Sequence, residues 1–152
     1  MDFTITTYRK LLDALLKAGY DFQTFSEFLE KSGKKVILLR HDVDAKKLNS
    51  LHFAEIQQGL GIKGTCYFRM VPQSYDREVI LKIAELGHEI GYHYEDMDLA
   101  SSKFEVRSSK LKEDDIIEEA IRIFEENLEK LREHYPVKTI CMHGNPCSRF
   151  DN

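Results

Sequence analysis

Four short runs rich in apolar and β-forming residues recur along the chain, at 36–40, 64–69, 89–93 and 138–142. Between them lie segments whose apolar residues fall at helical spacing, at 46–58, 76–86 and 114–134. Such alternation restricts the fold sharply. Consecutive strands joined by helices pair in parallel, and their crossovers are right-handed. The expected class is therefore α/β, with about four βα units. An N-terminal helical segment, 1–34, precedes the sheet portion, 35–152. It holds a helix at 7–17, stopped by Gly19, and a second opened by Thr24 with Glu27 three residues on, the pattern of a capping box. The polar segment 95–112 is expected to be a long loop. The face of the 114–134 helix is expected to be Ile117, Ile121, Phe124, Leu128 and Leu131. At 152 residues the chain suffices for one domain with a real core.

The first run ends in His41-Asp42-Val43-Asp44. Alternation along a strand puts Asp42 and Asp44 on one face, where two carboxylates repel unless a cation or a proton intervenes. Either both acids cap the following helix, or they belong to a metal site with one acid as ligand and the other as base. In parallel α/β folds, sites gather where the strands end. Arg69, His93 and His143 end the next three runs, so the topology should bring them to the rim that carries the two acids.

Composition excludes several classes. A net charge of −4 does not suit a nucleic-acid surface. No stretch approaches membrane-spanning length, and the N-terminus lacks the pattern of a signal peptide. Cysteines 66, 141 and 147 form no CxxC pair, which fits free thiols in a reducing, cytoplasmic compartment.

The strings LLRHDVD, GIKGTCYFR, ELGHEIGYHYED and MHGNPCSRFDN resemble the polysaccharide deacetylases, the NodB-homology group of carbohydrate esterase family four. The likeness is to the divergent branch found among surface-polysaccharide and O-antigen biosynthesis proteins, and it spans nearly the whole chain. It implies a partial (β/α) barrel holding one divalent metal ion, most often zinc. It also implies a hydrolase that removes acetyl groups from an N-acetylated sugar in a polysaccharide or its precursor. Carried onto this sequence, Asp42 is the general base, and Asp44 and His93 are metal ligands.

The chain departs from the family pattern in three places. A second metal histidine is expected four residues after His93, where Met97 stands. An Arg-Pro motif that orients the base is replaced by His143-Gly144-Asn145-Pro146. The late motifs, including a general-acid histidine, lie beyond Asn152, so the chain reads as truncated. His143 is the candidate third ligand, with Glu95 or Asp96 as carboxylate alternatives, and it is also the candidate acid. Arg40, two residues before Asp42, can hold that acid ionised or form a structural ion pair.

Other residues carry paired expectations. Arg69 is a candidate substrate contact. Tyr92 and Tyr94 either stack on sugar or pack. His88 is expected to bond backbone, His41, on the strand face opposite the acids, to pack or to support a ligand from behind, and Cys66 and Cys141 to be small buried hydrophobes. A phosphoesterase would need phosphate-cradling glycines or a second metal, and neither is evident. The rival from a different class is a degenerate domain that binds saccharide or a partner without catalysis. A homo-oligomer could cover the open edge of the sheet.

Overall fold

The structure, a computed structural model, describes residues 4–105, 113–145, 148 and 150. Cys147, Pro146, Asp151 and Asn152, and the 106–112 part of the expected loop, lie outside the described residues. The elements in order are α1 (Ile5–Lys17), β1 (Asp21–Gln23), α2 (Phe25–Glu30), β2 (Val36–Leu38), β3 (Arg40–Val43), α3 (Lys47–Gln58), β4 (Thr65–Phe68), α4 (Arg77–Glu85), β5 (Glu89–Tyr94), α5 (Asp96–Glu105), α6 (Glu113–Arg132) and β6 (Ile140–Met142). Among the described residues no helix is long and apolar enough to cross a membrane.

β3, β4, β5 and β6 form a parallel sheet in sequential order, curled as a half-barrel. Sequential parallel strands joined by right-handed crossovers carry their crossover helices on one face, and here α3, α4 and α6 pack there. That face is apolar. Val43, Cys66, Phe68, Ile90 and Tyr92 pack there against Ala54 of α3, Val79, Ile80 and Ile83 of α4, and Leu131 of α6. The residues between them face the concave side, in register as Arg40–Thr65–Glu89 and Asp42–Tyr67–Gly91. This concave face is mostly polar, and it carries the site.

The run expected as one strand, 36–40, is two. Val36–Leu38 pairs with β1, a strand within the segment 1–34 whose residues predict helix. Arg40–Val43 pairs with β4, and between the two the Leu39 carbonyl accepts from the Thr65 amide at 2.9 Å. An apolar run carries no mark of where its partner changes, and the three residues of β1 are too few to show a period. The expected loop is also corrected, because α5 occupies Asp96–Glu105. Ala100 of α5 is buried against Ile116, Ala120 and Ile123 of α6, with Met97 and Leu99 beside them. On α6 the buried stripe is Ile116, Ala120, Ile123, Asn127 and Leu131, one step round from the expected face, so that Ile117 and Ile121 are exposed.

The N-terminal segment packs onto this frame at two places. Leu12 of α1 is buried with Ile56 and Ile62. The capping box of α2 forms as expected: Thr24 Oγ1 accepts from the Glu27 amide, and the Glu27 carboxylate accepts from the Thr24 amide. Below it, the buried Glu89 carboxylate accepts from the Ser26 amide and hydroxyl, from Thr65 Oγ1 and from Thr139 Oγ1. A carboxylate thus joins α2 to three strands' worth of chain at the N-terminal end of the half-barrel.

Candidate metal centre

Asp42 lies within β3 and Asp44 one residue beyond it, both on the concave side. The capping alternative fails for this pair. The N-cap of α3 is Lys46, in the left-handed region (φ 54°), and no side chain bonds it. His93 is on the same face of β5, and His143 follows β6, its amide donating to the Tyr94 carbonyl at 2.8 Å.

Three donor atoms converge. His143 Nδ1 is 3.2 Å from His93 Nε2 and 3.2 Å from Asp44 Oδ1, and His93 Nε2 is 3.5 Å from the same oxygen. Asp42 Oδ2 stands 4.0 Å from His93 Nε2. A backbone carbonyl decides the charge pattern. His93 Nδ1 is 3.0 Å from the Cys141 carbonyl, which only accepts, so the Nδ1 proton is committed there. With that proton in place, Nε2 is the ring atom that faces the two carboxylates. Acceptors this close repel unless positive charge lies among them. A proton on Nε2 or a divalent cation meets that need. Two imidazole nitrogens and a carboxylate oxygen are a donor set that a divalent ion accepts, and the carbonyl behind His93 is the outer partner such ligands usually have. His93 is 2% exposed and Asp44 54%, so the cluster has a buried wall and an open side.

Asp42 is held differently. Arg40 Nε donates to Oδ1 at 2.7 Å and Nη2 to Oδ2 at 2.6 Å, a two-point fork. Burial works against the Asp42 charge, but the Arg40 guanidinium, with His93 beside it, holds its carboxyl below the usual carboxylate range. Asp42 is thereby kept ionised and aimed at the cluster.

The remaining candidates are separated by the fold. Glu95 is engaged by Arg69, whose Nε and Nη2 reach its two oxygens at 2.8 and 2.6 Å. Asp96 lies on the convex side and accepts from Tyr92 Oη at 2.7 and 2.9 Å and from Asn127 Nδ2 at 3.1 Å. Neither carboxylate belongs to the three-donor set. Tyr92 and Tyr94 both pack against Phe124. His88 accepts from the Gly64 amide and bonds the Ala54 carbonyl, as expected of a structural histidine. His41 faces away from the acids, toward Gln57 and Phe53. Cys66 is buried, and burial pushes its thiol up to about 12.

Cys141 corrects the reading of a buried hydrophobe. It is only half-buried, and its Sγ groups with an Asp42 oxygen and a His93 nitrogen, all within 4.8 Å of one another. The sign of this was in the alternation, since Cys141 precedes His143 by two residues and so shares its face. Ser74 carried no sequence signal. It is buried in the turn after β4, where its Oγ accepts from the Arg69 amide and donates to the Val43 carbonyl.

Compared with known proteins, the chain matches no family model, no curated protein and no solved structure.

Proposed function

We propose that the protein is a hydrolase that removes the acetyl group from an N-acetylated sugar with the help of one divalent ion, zinc by preference. One observation carries the metal part: Asp44 Oδ1, His93 Nε2 and His143 Nδ1 lie within 4.8 Å of one another on an open rim, with the Asp42 carboxylate beside them. The reaction and its substrate rest on the resemblance of the same residues to the polysaccharide deacetylases.

In this reading Asp44, His93 and His143 hold the ion, a three-ligand set that leaves a position for water. When bound, a divalent ion lowers the pKa of its water toward ~7 and stabilises negative charge on a carbonyl oxygen. Asp42, fixed by the Arg40 fork, takes a proton from the attacking water. The protonated Asp42 then returns that proton to the leaving sugar nitrogen. Placing His143 among the ligands removes it from the role of acid, so Asp42 serves in both steps. Arg40 stands in for the base-orienting arginine of the family, from two residues before the base instead of from a later strand.

A second reading has one observation in its favour. Met97, where the family has its second metal histidine, packs with Ala100 and Ile116 between α5 and α6. A site rebuilt around His143 could hold saccharide without hydrolysing it. Metal analysis of the purified protein, with acetate release measured from N-acetylglucosamine oligomers, separates the two. The proposal expects one ion per chain and turnover. Asp42→Asn should retain the ion and lose turnover by at least about 100-fold, the lower end of what a positioned acid or base contributes. Asp44→Asn should lose the ion. An active, metal-free Asp44→Asn protein refutes the mechanism, and a metal-loaded wild type that releases no acetate leaves the binding reading.

A further inference from the structure

We propose that Arg69 is a positioning residue for the metal site: gripped by Glu95, it anchors the Asp44 carbonyl and so aims the Asp44 carboxylate at His93 and His143. The inference rests on the metal reading above and concerns what makes that ligand set rigid.

Asp44 needs such an anchor. The last ladder pair of β3 with β4 is Val43 with Phe68, so Asp44 is the first residue past the sheet. Its side chain is 54% exposed, and α3 begins without a side-chain cap. Neither strand nor helix fixes its backbone. Arg69 is the matching residue past the end of β4, and its Nη1 donates to the Asp44 carbonyl at 3.3 Å. The guanidinium is itself immobilised. Its Nε and Nη2 are paired with both oxygens of Glu95, whose side chain is 8% exposed and which follows β5 two residues after His93. The Arg69 amide is tied through Ser74 Oγ to the carbonyl of Val43, the residue before Asp44. Two successive carbonyls, of Val43 and Asp44, are thus pinned from the start of the β4–α4 turn.

Charge and geometry favour this role over substrate contact. A guanidinium offers five donors in a planar fork, and here one edge faces Glu95 while the other end reaches Asp44. The result links the ends of β3, β4 and β5 in one chain of bonds behind the ligand atoms. Partners of this outer kind commonly change metal affinity by 10–100-fold when removed.

The test is Co2+ titration of the full chain, followed by visible absorption and by competition with a chelator. Arg69→Lys is the main variant, because it keeps a cation opposite Glu95 while losing the fork; Arg69→Ala and Glu95→Gln accompany it. The expected result is about 10-fold weaker Co2+ binding and an altered cobalt spectrum for each. Asp44→Asn loses the ion as purified, but its His93–His143 pair still takes Co2+ weakly at high concentration, and in that background Arg69→Lys should cause no further loss. Unchanged affinity and spectrum in Arg69→Lys overturns the inference while leaving the metal site standing. An equal loss in both backgrounds overturns it too, since Arg69 would then act by a route other than Asp44. A wild-type chain that takes up no Co2+ overturns the metal reading, and the inference with it.

Discussion

Replacing Glu89 by glutamine should destabilise the protein by about 2–3 kcal/mol at neutral pH, and the deficit should shrink in acid. Glu89 is 3% exposed. Its Oε2 accepts from the Ser26 amide at 3.0 Å and from Thr65 Oγ1 at 2.9 Å; its Oε1 accepts from Thr139 Oγ1 at 2.7 Å and from the Ser26 hydroxyl. Burial opposes the charge, but the Ser26 hydroxyl and amide and the two threonine hydroxyls outweigh it and hold the carboxyl below its usual range. A hydrogen bond to a charged group contributes about 1.5–3 kcal/mol, against about 0.5–1.5 for a neutral pair. Glutamine keeps one oxygen for two of the donors. Its NH2 group forces two hydroxyls to turn and accept. About 1 kcal/mol is then lost on each of several coupled bonds, and the total falls short of the sum because they share one group. The sign with pH follows from the lowered value. The carboxylate's contribution is complete above the unfolded glutamate pKa, about 4.3, and is lost as pH falls through the folded value. Urea unfolding of both proteins at pH 7 and at successively lower pH measures the gap. A variant as stable as wild type at pH 7, or a gap that stays constant into acid, refutes the reasoning.

Asp96 should behave in the opposite sense. Burial raises its carboxyl above the usual range despite the bonds from Tyr92 and Asn127. Its folded form therefore favours the proton, and its contribution falls as pH rises from the unfolded to the folded value. Asp96→Asn should gain relative to wild type as pH increases, and urea melts at pH 4 and pH 8 that show no such trend would count against it. Gly91→Ala should cost about 1–3 kcal/mol, the usual cost of overpacking. A Cβ there would lie 2.3 Å from the Tyr67 ring and 3.0 Å from the Thr139 carbonyl. Thermal denaturation tests it, and Tyr67→Leu in the same chain should recover part of the loss.

Much of this architecture was legible because its signals are local. The capping box at Thr24 and Glu27, the crossover helices α3 and α4 and the run into Asp42 each declare themselves within a few residues. The gathering of Asp44, His93 and His143 was legible too, because sequential parallel strands bring their ends to one rim. What stayed hidden depends on partners. The break at Leu39 follows from which strand lies alongside, and no periodicity encodes that. The helix α5 was masked by polar and serine residues whose neighbours on α6 supply the packing. Arg69 had a legible place but not a legible role, because its meaning comes from Glu95, a strand away. The place of Cys141 inside a strand predicts a small buried hydrophobe, whereas its strand face is the concave one.

The donor atoms come from the ends of the first, third and fourth strands of the sheet, and so from positions spread between residues 44 and 143. On the proposed metal reading, ion binding and sheet assembly would be a single equilibrium. A chain whose last strand has not docked lacks His143 and also the carbonyl that sets the His93 tautomer. Occupancy of the site would therefore count completed sheets. A ligand that binds only the folded form, present at a hundred times its dissociation constant, adds about 2.7 kcal/mol to stability. Scarcity of the ion would thus be felt as lost stability, which melts recorded with and without the ion would read.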